Sequence, residues 1–377
     1  MNEEILYIWL SLIDGIGPVL GSELLSKFKD VKSIYEATYK DILEVKGIGD
    51  KLARNIVNSK NLMHAGKIYD YCIKEEINIL KKYKENYPSQ LNYYINSPIV
   101  LYAKGIIKES SNSVAIVGSR RCTEYGKKVT IELATELSKS NIPIISGLAK
   151  GIDGYSHTVA IKNNSYTIGV IGTGINICYP KEHIKLMESI FEKGLVLSEF
   201  PPGTKNIKQN FIKRNELVAM LAKKIVVVQA GKDSGALYTA KCGLKYNKEV
   251  FAVPNTIYDN FSIGTNELIF QGAKIYLSPK MIISGNSVNE INYDTVELYK
   301  MNEEEIDIYN LIKSSPLTLN QIEMNLDISL INIQELLLEM ELKGYIEQKR
   351  GIYMLSATST PGAMSSRYNS IFIQNHK

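Results

Sequence analysis

The sequence contains little of what metal, disulfide or membrane chemistry requires. Its 377 residues include only four cysteines, and no two of them form a C-x-x-C pair. A zinc site or a disulfide framework needs such spacing, so neither is indicated and all four thiols are expected to be reduced. No apolar run approaches the ~18 residues of a membrane span, and the chain begins with acidic residues where a signal peptide is basic. These absences predict a cytoplasmic protein that holds no metal and contacts no membrane.

The glycine-rich loops of nucleotide enzymes are also missing. A P-loop requires G-x-x-x-x-G-K-[ST], but Gly118 and Gly126 are eight residues apart, and Lys127 is followed by Lys128 rather than by a hydroxyl residue. The dinucleotide fingerprint requires a third glycine, and Ile177 occupies that position. ATP hydrolysis and NAD binding are therefore disfavoured, and no cofactor is expected.

Positive charge is concentrated in the middle of the chain. Residues 111–279 contain 21 lysines and arginines against 13 acidic residues, whereas residues 302–355 contain 4 against 10. The net charge of +4 hides this difference. Because a basic surface attracts polyanions and an acidic one repels them, the two regions are expected to have different partners.

Two glycine turns divide the beginning of the chain into helical hairpins. Each turn is a Gly-Ile-Gly sequence between apolar helical stretches, at residues 15–17 and 47–49. Such a turn can present backbone N–H groups at the start of the following helix, where a phosphate can be bound. A helix-hairpin-helix domain is predicted over residues 1–80. Its turns either contact a nucleic-acid backbone or serve only the packing of a helical bundle.

From Val114 onwards, short runs of valine and isoleucine alternate with amphipathic helical stretches. Strands of this kind, separated by helices, are typical of a parallel sheet with helices on both faces. A doubly wound α/β core with a mostly parallel sheet is predicted over residues 81–285. In such sheets ligands bind beyond the carboxyl ends of the strands, which is where the glycine turns of this region fall.

Small, polar and basic residues cluster in four segments near the predicted strand ends. If the fold brings these segments together, they line a groove of N–H donors, hydroxyl groups and cations, which suits a run of phosphates. Any single lysine could equally be a solvated surface charge. The predicted phosphate-binding residues are Gly118, Ser119, Arg120, Gly147, Lys150, Phe211, Lys213, Arg214, Asn215, Ser234, Gly235, Thr239 and Lys241.

A second helical unit is predicted over residues 300–355. Three helices followed by a short hairpin are the element order of a winged helix. The third helix, predicted over 330–343, carries three glutamates against one lysine, so repulsion by phosphates opposes duplex binding. A protein partner or a packing role is favoured for this domain. Residues 356–377 have linker composition and are predicted to be disordered.

Candidate catalytic groups are sparse. The four histidines are isolated from one another in the sequence and are interpreted as structural. Asp153 and Glu199 come near strand ends and could form a pair of catalytic carboxylates. Asp153 more simply caps the helix that begins beside it. The residues alone therefore indicate no catalytic set.

Ten motifs, in order, make the region from Val114 to Lys274 resemble the DNA-processing protein A family, also called DprA or Smf. Among them are AIVGSR, SGLAKGID, GTGINICYP, LSEFPPG, SGALYTA and GTNELIFQGA. The resemblance implies an extended Rossmann-like core, flanked by a SAM-like helical domain and a winged helix. It also implies a recombination mediator that is not an enzyme, protects incoming single-stranded DNA in natural transformation, loads the RecA recombinase and forms a homodimer.

The family's motifs imply roles for particular residues of this sequence. The residues implied to hold phosphate or to line the binding pocket are Gly118, Ser119, Arg120, Lys150, Phe211, Arg214 and Asn215. The next residue is Glu216 where the family has an arginine, and an acid there weakens binding unless it points into the fold. The family's dimer surface falls on Leu268 and Ile269.

Two other functions remain open beside this one. The first is a nucleoside-monophosphate hydrolase that uses the same strand-end pocket, with Asp153 or Glu199 as the acid or base. Related hydrolases carry P-G-G-x-G-T-x-x-E, of which this sequence has only PPGT, with Ile207 in place of the glutamate. The second is an interaction protein with a vestigial groove, for which Glu216 is the main argument.

Overall fold

The computed structural model describes residues 1–284, 301–326, 328–342, 345–349 and 351–356. The chain divides into two compact units, residues 1–285 and 286–377. The domains predicted over 1–80 and 81–285 both lie in the first unit, and the boundary between them stays a prediction. Of the tail predicted over 356–377, all but the first residue lie outside the described residues.

Helices form the beginning of the first unit. They are α1 (Glu3–Leu12), α2 (Pro18–Phe28), α3 (Val31–Glu36), α4 (Tyr39–Leu43), α5 (Asp50–Asn58) and α6 (Met63–Lys74). Helices α2 and α5 each begin after a Gly-Ile-Gly turn, whose first glycine has a φ of +90° in Gly15 and +87° in Gly47. A Cβ on either glycine would lie within 3.1 Å of a leucine of the other hairpin. The predicted hairpins are therefore present, and their glycines allow both the turn and the close packing of the pair.

One sheet forms the centre of the first unit. Its strands are β1 (Asn78–Lys81), β2 (Val100–Gly105), β3 (Val114–Gly118), β4 (Ile144–Ser146), β5 (Thr167–Ile171), β6 (Leu195–Ser198), β7 (Lys224–Gln229), β8 (Glu249–Ala252) and β9 (Lys274–Ile275). Their order is β1-β2-β6-β5-β4-β3-β7-β8-β9. Strands β3 to β9 pair in parallel, whereas β2 pairs antiparallel with β1 and β6. The mostly parallel sheet is confirmed, and the antiparallel edge is a feature that was not predicted.

Helices cover both faces of this sheet. They are α7 (Glu124–Lys139), α8 (Ile152–Lys162), α9 (Ile184–Lys193), α10 (Lys208–Leu221), α11 (Gly235–Lys245), α12 (Ile263–Phe270) and α13 (Pro279–Ser284), with single-turn 3-10 helices at Ser89–Tyr93 and Lys181–His183. Alternate strand residues point to opposite faces, so Ile116 packs with α7 and α8 while Ala115 and Val117 pack with α10 and α11. Helix α9 packs on the first of these faces through Met187 and Ile190.

The chain changes direction across the sheet next to β3. It runs outward from β3 through β4 and β5 to β6, and then resumes on the other side of β3 with β7. The loops that follow β3 and β7 therefore diverge and leave a crevice beyond the carboxyl ends of the strands. This crevice is the position at which the sequence predicts the binding groove.

The second unit contains helices and a small antiparallel sheet. Its elements are α14 (Glu303–Ser314), β10 (Leu317–Thr318), α15 (Leu319–Glu323), α16 (Leu330–Leu342), β11 (Ile346–Lys349) and β12 (Ile352–Leu355). The strand order is β10-β12-β11, and the core contains Ile308, Ile322 and Leu337. The helix predicted over 330–343 is present as α16, and assignment of the unit to the winged helices stays a prediction. Among the described residues, no helix has both the length and the apolar content needed to cross a bilayer.

Candidate nucleic-acid interface

A cleft of about 560 Å³ lies at the carboxyl edge of the sheet, where the loops after β3 and β7 diverge. The predicted residues that line it are Gly118, Ser119, Arg120, Gly147, Arg214, Asn215, Ser234, Gly235 and Thr239. A smaller pocket of about 50 Å³ adjoins it and adds Lys150 and Phe211. The fold thus brings parts of all four predicted segments to one edge. Lys213 and Lys241 line neither cavity.

The loop after β3 lies close to the start of α8, because each of the two segments has a glycine at the point of contact. A Cβ on Gly118 would lie 2.7 Å from the side chain of Ile152, and one on Gly151 would overlap the carbonyl oxygen of Ser119. Gly151 also has a φ of +75°, which favours glycine. The hydroxyl group of Ser119 accepts a hydrogen bond from the N–H of Arg121 at 3.1 Å. This loop therefore holds its two arginines at the mouth of the cleft, and both are exposed.

Arg214 lies beneath the surface of the cleft and is only 4% exposed. Its Nη1 donates hydrogen bonds to the carbonyl oxygens of Gly147 and, at 3.1 Å, Val170. Desolvation lowers the pKa of Arg214, and the nearby carboxylate of Asp153 opposes that effect. Nη1 is thus used inside the protein, whereas the buried Nε has no hydrogen-bond partner, and the expectation that Arg214 contacts phosphate stays a prediction. Its geometry fits a supporting role.

Asp153 belongs to the same buried layer. Its Oδ2 accepts hydrogen bonds from the N–H groups of Gly147, at 3.2 Å, and Ala149, at 3.4 Å. Burial raises the pKa of Asp153, and the positive charge of Arg214 counteracts the rise. The simpler interpretation of Asp153 as a helix cap is thus also corrected. The carboxylate fastens the loop after β4, while the cap position of α8 is occupied by Gly151.

The ring of Phe211 lies close to both an exposed arginine and the buried one. The guanidinium carbon of Arg120 lies 5.9 Å from the ring centroid, and that of Arg214 lies 5.8 Å from it. Tyr179 adds a second aromatic ring at 5.5 Å. Lys150 stands at the rim, where its Nζ is 2.6 Å from a carboxylate oxygen of Glu182 and both side chains are more than half exposed. The small pocket therefore combines aromatic surface with cations.

The start of α11 forms the opposite wall of the cleft. The Ser234 hydroxyl group caps this helix by accepting a hydrogen bond from the N–H of Ala236 at 3.3 Å. Asn215 donates to the carbonyl oxygen of Gly235 at 3.1 Å and so joins α10 to α11. Thr239 is only 2% exposed, which leaves its hydroxyl group little access to a ligand.

Two further exposed cations line the cleft. Arg121 follows Arg120 directly and belongs to the first predicted segment, whereas Lys232 precedes the Ser234 cap by two residues and lies outside the predicted segments. Lys232 stands in the same glycine-containing loop as Ser234, and proximity to that glycine turn was a signal that could have identified it.

Glu216 points away from the cleft. Its carboxylate accepts hydrogen bonds from the Asn96 amide at 2.9 Å and from the hydroxyl group of Tyr246. The carboxylate is thus held by partners of the protein itself and is not directed into the cleft, although its side chain is 23% exposed. The argument for a vestigial groove loses its main support.

The two residues predicted for a dimer surface differ in exposure. Leu268 is 2% exposed and packs into the core beneath α12, so its side chain is not available to a second protomer. Ile269 is partly buried against the same core. Phe270, the next residue, is 92% exposed. The expectation for Leu268 is thus corrected, and the exposed apolar side chain of this helix is Phe270.

His157 is the most buried of the histidines that come near the cleft. Its Nδ1 lies 2.7 Å from the hydroxyl oxygen of Thr167, and burial lowers the pKa of His157 to about 3. The imidazole is therefore neutral at physiological pH. Within the described ranges, no group of three histidines, cysteines or acidic residues is arranged to hold a metal ion.

Two family models match this chain. Residues 78–286 match the model described as DNA recombination-mediator protein A. Residues 10–59 match the SAM-like helix-hairpin-helix tandem. The first match covers the whole sheet and every residue of the cleft, and the second covers the two glycine turns.

Curated relatives agree with these matches. The chain is 33% identical over 288 residues to Protein Smf of Synechocystis sp., an alignment that covers 75% of this chain and 72% of that protein. It is 37% identical over 222 residues to DNA processing protein DprA of Bacillus subtilis, covering 58% and 75% of the two chains.

Solved structures show the same similarity in three dimensions. DNA processing protein A from Streptococcus pneumoniae aligns with a TM-score of 0.67 and 30% identity, over 77% of this chain and 99% of that one. The corresponding protein of Helicobacter pylori, whose structure is described for its single-stranded DNA binding mode, aligns with a TM-score of 0.51 and 33% identity. That alignment covers 56% of this chain and 95% of the other.

Proposed function

This chain belongs to the DNA recombination-mediator protein A family, and on that premise we propose that it binds single-stranded DNA in the cleft at the carboxyl edge of its sheet. The observation that carries the proposal is the group of exposed cations there. Arg120, Arg121 and Lys232 line the cleft, and Lys150 lines the adjoining pocket. All four side chains are exposed. Beneath them, the buried Arg214 and Asp153 form hydrogen bonds with the backbone of the loop after β4.

The chemistry of the lining suits a flexible polyanion. Arginine and lysine side chains attract phosphates without regard to base sequence, and the glycine turns allow a phosphate to approach the backbone N–H groups. The ring of Phe211 at the smaller pocket offers a surface on which a base can stack. The solved relative from Helicobacter pylori, described for single-stranded DNA binding, supports the same ligand class.

We propose that the protein acts in the cytoplasm as a recombination mediator and that it is not an enzyme. The protein would cover incoming single-stranded DNA during natural transformation and load the RecA recombinase onto it. Family membership supports this role, since the matching family is described as recombination mediators. The acidic second unit repels DNA and would meet a protein partner. Glu335, Glu339 and Glu341 of its α16 are exposed.

A homodimer is the proposed assembly, with its contact near the β9 edge of the sheet. Exposed apolar side chains cluster in sequence there: Phe270 is 92% exposed, Leu277 49% and Ile275 38%. A second copy of the chain would bury this surface. Two clefts in one assembly would then hold a long strand more tightly than one cleft, because the second contact forms within the same complex.

Hydrolysis of nucleoside monophosphates is the rival activity, and one observation favours it. Desolvation raises the pKa of Glu199 to about 7, although Lys213 acts in the opposite direction. A carboxyl group with that pKa could serve as a general acid. Glu199 does not line the cleft or its adjoining pocket, however, and the Asp153 carboxylate is bound to loop amides. The geometry therefore supports binding better than catalysis.

Two assays on the pure protein separate these functions. In the first, a labelled single-stranded oligonucleotide is titrated with the protein, and an unlabelled duplex of the same sequence is then added as competitor. We expect saturable binding that the duplex displaces poorly. In the second, nucleoside monophosphates are incubated with the protein and free base is measured. Release of base at a rate proportional to protein, without oligonucleotide binding, would establish the rival.

A further inference from the structure

The outer surface of α10 and α11 carries lysines and tyrosines that the cleft does not use. Tyr238, Lys241 and Lys245 are three and seven residues apart on α11, so they share one stripe of that helix. Tyr238 is 38% exposed and the Lys245 side chain 67%. Lys213 is exposed on the neighbouring α10. These side chains point away from the core that Ala236 and Ala240 help to form.

The segment that contains the first 3-10 helix extends this surface. Tyr93 ends that helix and is 86% exposed. The following Tyr94 packs on Tyr246, with ring centroids 4.7 Å apart, and Lys248 holds its Nζ 5.5 Å from the Tyr94 ring. The segment is thereby fixed next to the end of α11. The segment adds the exposed ring of Tyr93 to this surface. Lys248 lies beside it, half-buried, and donates a hydrogen bond to the carbonyl oxygen of Met220 at 3.2 Å.

The acidic groups of this surface are largely neutralised. The Glu216 carboxylate binds Asn96 and Tyr246, and the Nζ of Lys245 lies 3.8 Å from it. Glu199 has its pKa raised to about 7 by desolvation, so it is partly protonated at neutral pH. Among the described residues, Lys213 and Lys241 form no ion pair within 4.0 Å. A passing polyanion would therefore meet a positive surface.

This surface is continuous with the cleft. Helix α11 begins at Gly235, which lines the cleft, and Asn215 of α10 is hydrogen-bonded to its carbonyl oxygen. At a rise of 1.5 Å per residue, Lys241 lies about 9 Å and Lys245 about 15 Å further along the helix axis. A strand that leaves the cleft over α11 would meet cations one helical turn apart.

We propose that single-stranded DNA leaving the cleft continues along this face, which we call the lysine–tyrosine track: Tyr93, Lys213, Tyr238, Lys241, Lys245 and Lys248. Phosphates contact the lysines and bases stack on the exposed rings of Tyr93 and Tyr238. The alternation of cations with exposed aromatic rings favours a single strand over an acidic protein, because bases supply flat surfaces that an acidic side chain lacks. This inference rests on the proposed binding of DNA in the cleft.

Oligonucleotides of two lengths test the track. The shorter, of about 6 nucleotides, occupies only the cleft, and the longer, of about 20, also reaches the track. The variant Lys241→Gln/Lys245→Gln removes two exposed charges. We expect its affinity for the long oligonucleotide to fall roughly tenfold and its salt slope to flatten by about 1.4, with the short one bound as in the wild type. Tyr93→Ser should weaken long-strand binding at least about fivefold.

The matched control is Lys162→Gln/Lys185→Gln, which removes two exposed lysines from α8 and α9 on the opposite face of the sheet. It should bind both lengths normally. If the Lys241→Gln/Lys245→Gln protein binds the long strand as the control does, the track is overturned and its charge serves another partner. If it loses the short strand equally, the lysines belong to the cleft and the track is again overturned. Arg120→Ala must weaken both lengths; if it weakens neither, the proposed function itself fails.

Discussion

The surface of the cleft and the layer beneath it contain similar charged groups in different surroundings. Arg120 and Arg214 hold their guanidinium groups at nearly the same distance from Phe211, 5.9 and 5.8 Å. Arg120 is exposed, whereas Arg214 is 4% exposed and donates to two carbonyl oxygens. The comparison teaches that burial and hydrogen bonding, rather than residue type, decide whether a cation is available to a ligand.

The acidic groups of the two layers differ in the same way. Glu182 pairs with Lys150 at the rim, where water screens both charges, so the pair contributes little to the free energy of unfolding. Asp153 is 6% exposed beneath the surface, near Arg214 and two amides. Asp153 and Arg214 form no ion pair within 4.0 Å, but each shifts the pKa of the other, so removing either leaves a buried charge less well compensated. Substitutions in the lower layer should therefore affect folding, and those in the upper layer should affect binding.

The largest effect is expected for Arg214→Met. It leaves the Asp153 carboxylate without the nearby cation and removes two buried hydrogen bonds, to the carbonyl oxygens of Gly147 and Val170, so the free energy of unfolding should fall by about 3–5 kcal/mol. Urea denaturation measures the change. The neighbouring variant Lys213→Met, in an exposed position of the same helix, should stay within about 0.5 kcal/mol of the wild type.

A double-mutant cycle sharpens this prediction. Combining Arg214→Met with Asp153→Asn should cost less than the sum of the two single changes, because the second removes the charge that the first leaves unpaired. Strict additivity, or an Arg214→Met protein as stable as Lys213→Met, would show that the two layers do not differ in the way described.

Gly147→Ala should have the next largest effect. A Cβ at this position would overlap the Arg214 guanidinium and would lie 2.8 Å from Oδ2 of Asp153. Overpacking of this kind costs about 1–3 kcal/mol, which thermal or urea unfolding can resolve. Gly49→Ala is the control, since nothing lies within 4 Å of a Cβ there. If the two variants were equally stable, Arg214 and Asp153 would be able to move away from the added methyl group without a cost in free energy.

Arg120→Ala should fold normally and bind weakly. Its side chain is exposed, so the midpoint of urea unfolding should match that of the wild type. Loss of one phosphate contact and of the cation beside the Phe211 ring should weaken binding of a single-stranded oligonucleotide roughly tenfold at low salt. A large loss of stability would place Arg120 in the same class as Arg214 and remove the contrast between them.

The smallest effect is expected for Glu182→Gln. Glu182 holds one of the three N–H donors of the Lys150 ammonium group at 2.6 Å and competes with a phosphate for its charge. Removing that competitor, and one negative charge, should strengthen binding by about twofold without changing stability measurably. Fluorescence anisotropy of wild type and variant in parallel measures it. Weaker binding in the variant would mean that Glu182 positions Lys150 instead of competing for it.

Much of the fold could be predicted because its signals are local. Continuous valine and isoleucine runs identified β3 to β8, and parallel strands place their carboxyl ends at one edge. The antiparallel pair β1 and β2 was missed because its place depends on β6, almost one hundred residues further along the chain. Pairing over such a distance leaves no periodic signal within the short strands themselves.

It was harder to predict from the sequence which site residues are exposed than to predict that they lie at one edge of the sheet. A signal for the burial of Arg214 did exist, since Leu217, Val218 and Leu221 follow it at three, four and seven residues and all pack into the core. Arg214 therefore lies on the inward face of α10, and its neighbour Lys213 does not. The same reasoning applies to Leu268, which faces the core from α12. Position on the helix face carried this information, and the motif alone did not.

The most direct test of the central claim is the salt dependence of single-stranded DNA binding by the wild type and by Arg120→Ala. For an oligonucleotide of about 6 nucleotides, which occupies only the cleft, the four exposed cations at the carboxyl edge predict a slope of log K against log salt concentration of about −3, and the variant should be flatter by about 0.7. A wild-type slope near zero, or identical slopes for the two proteins, would contradict the account.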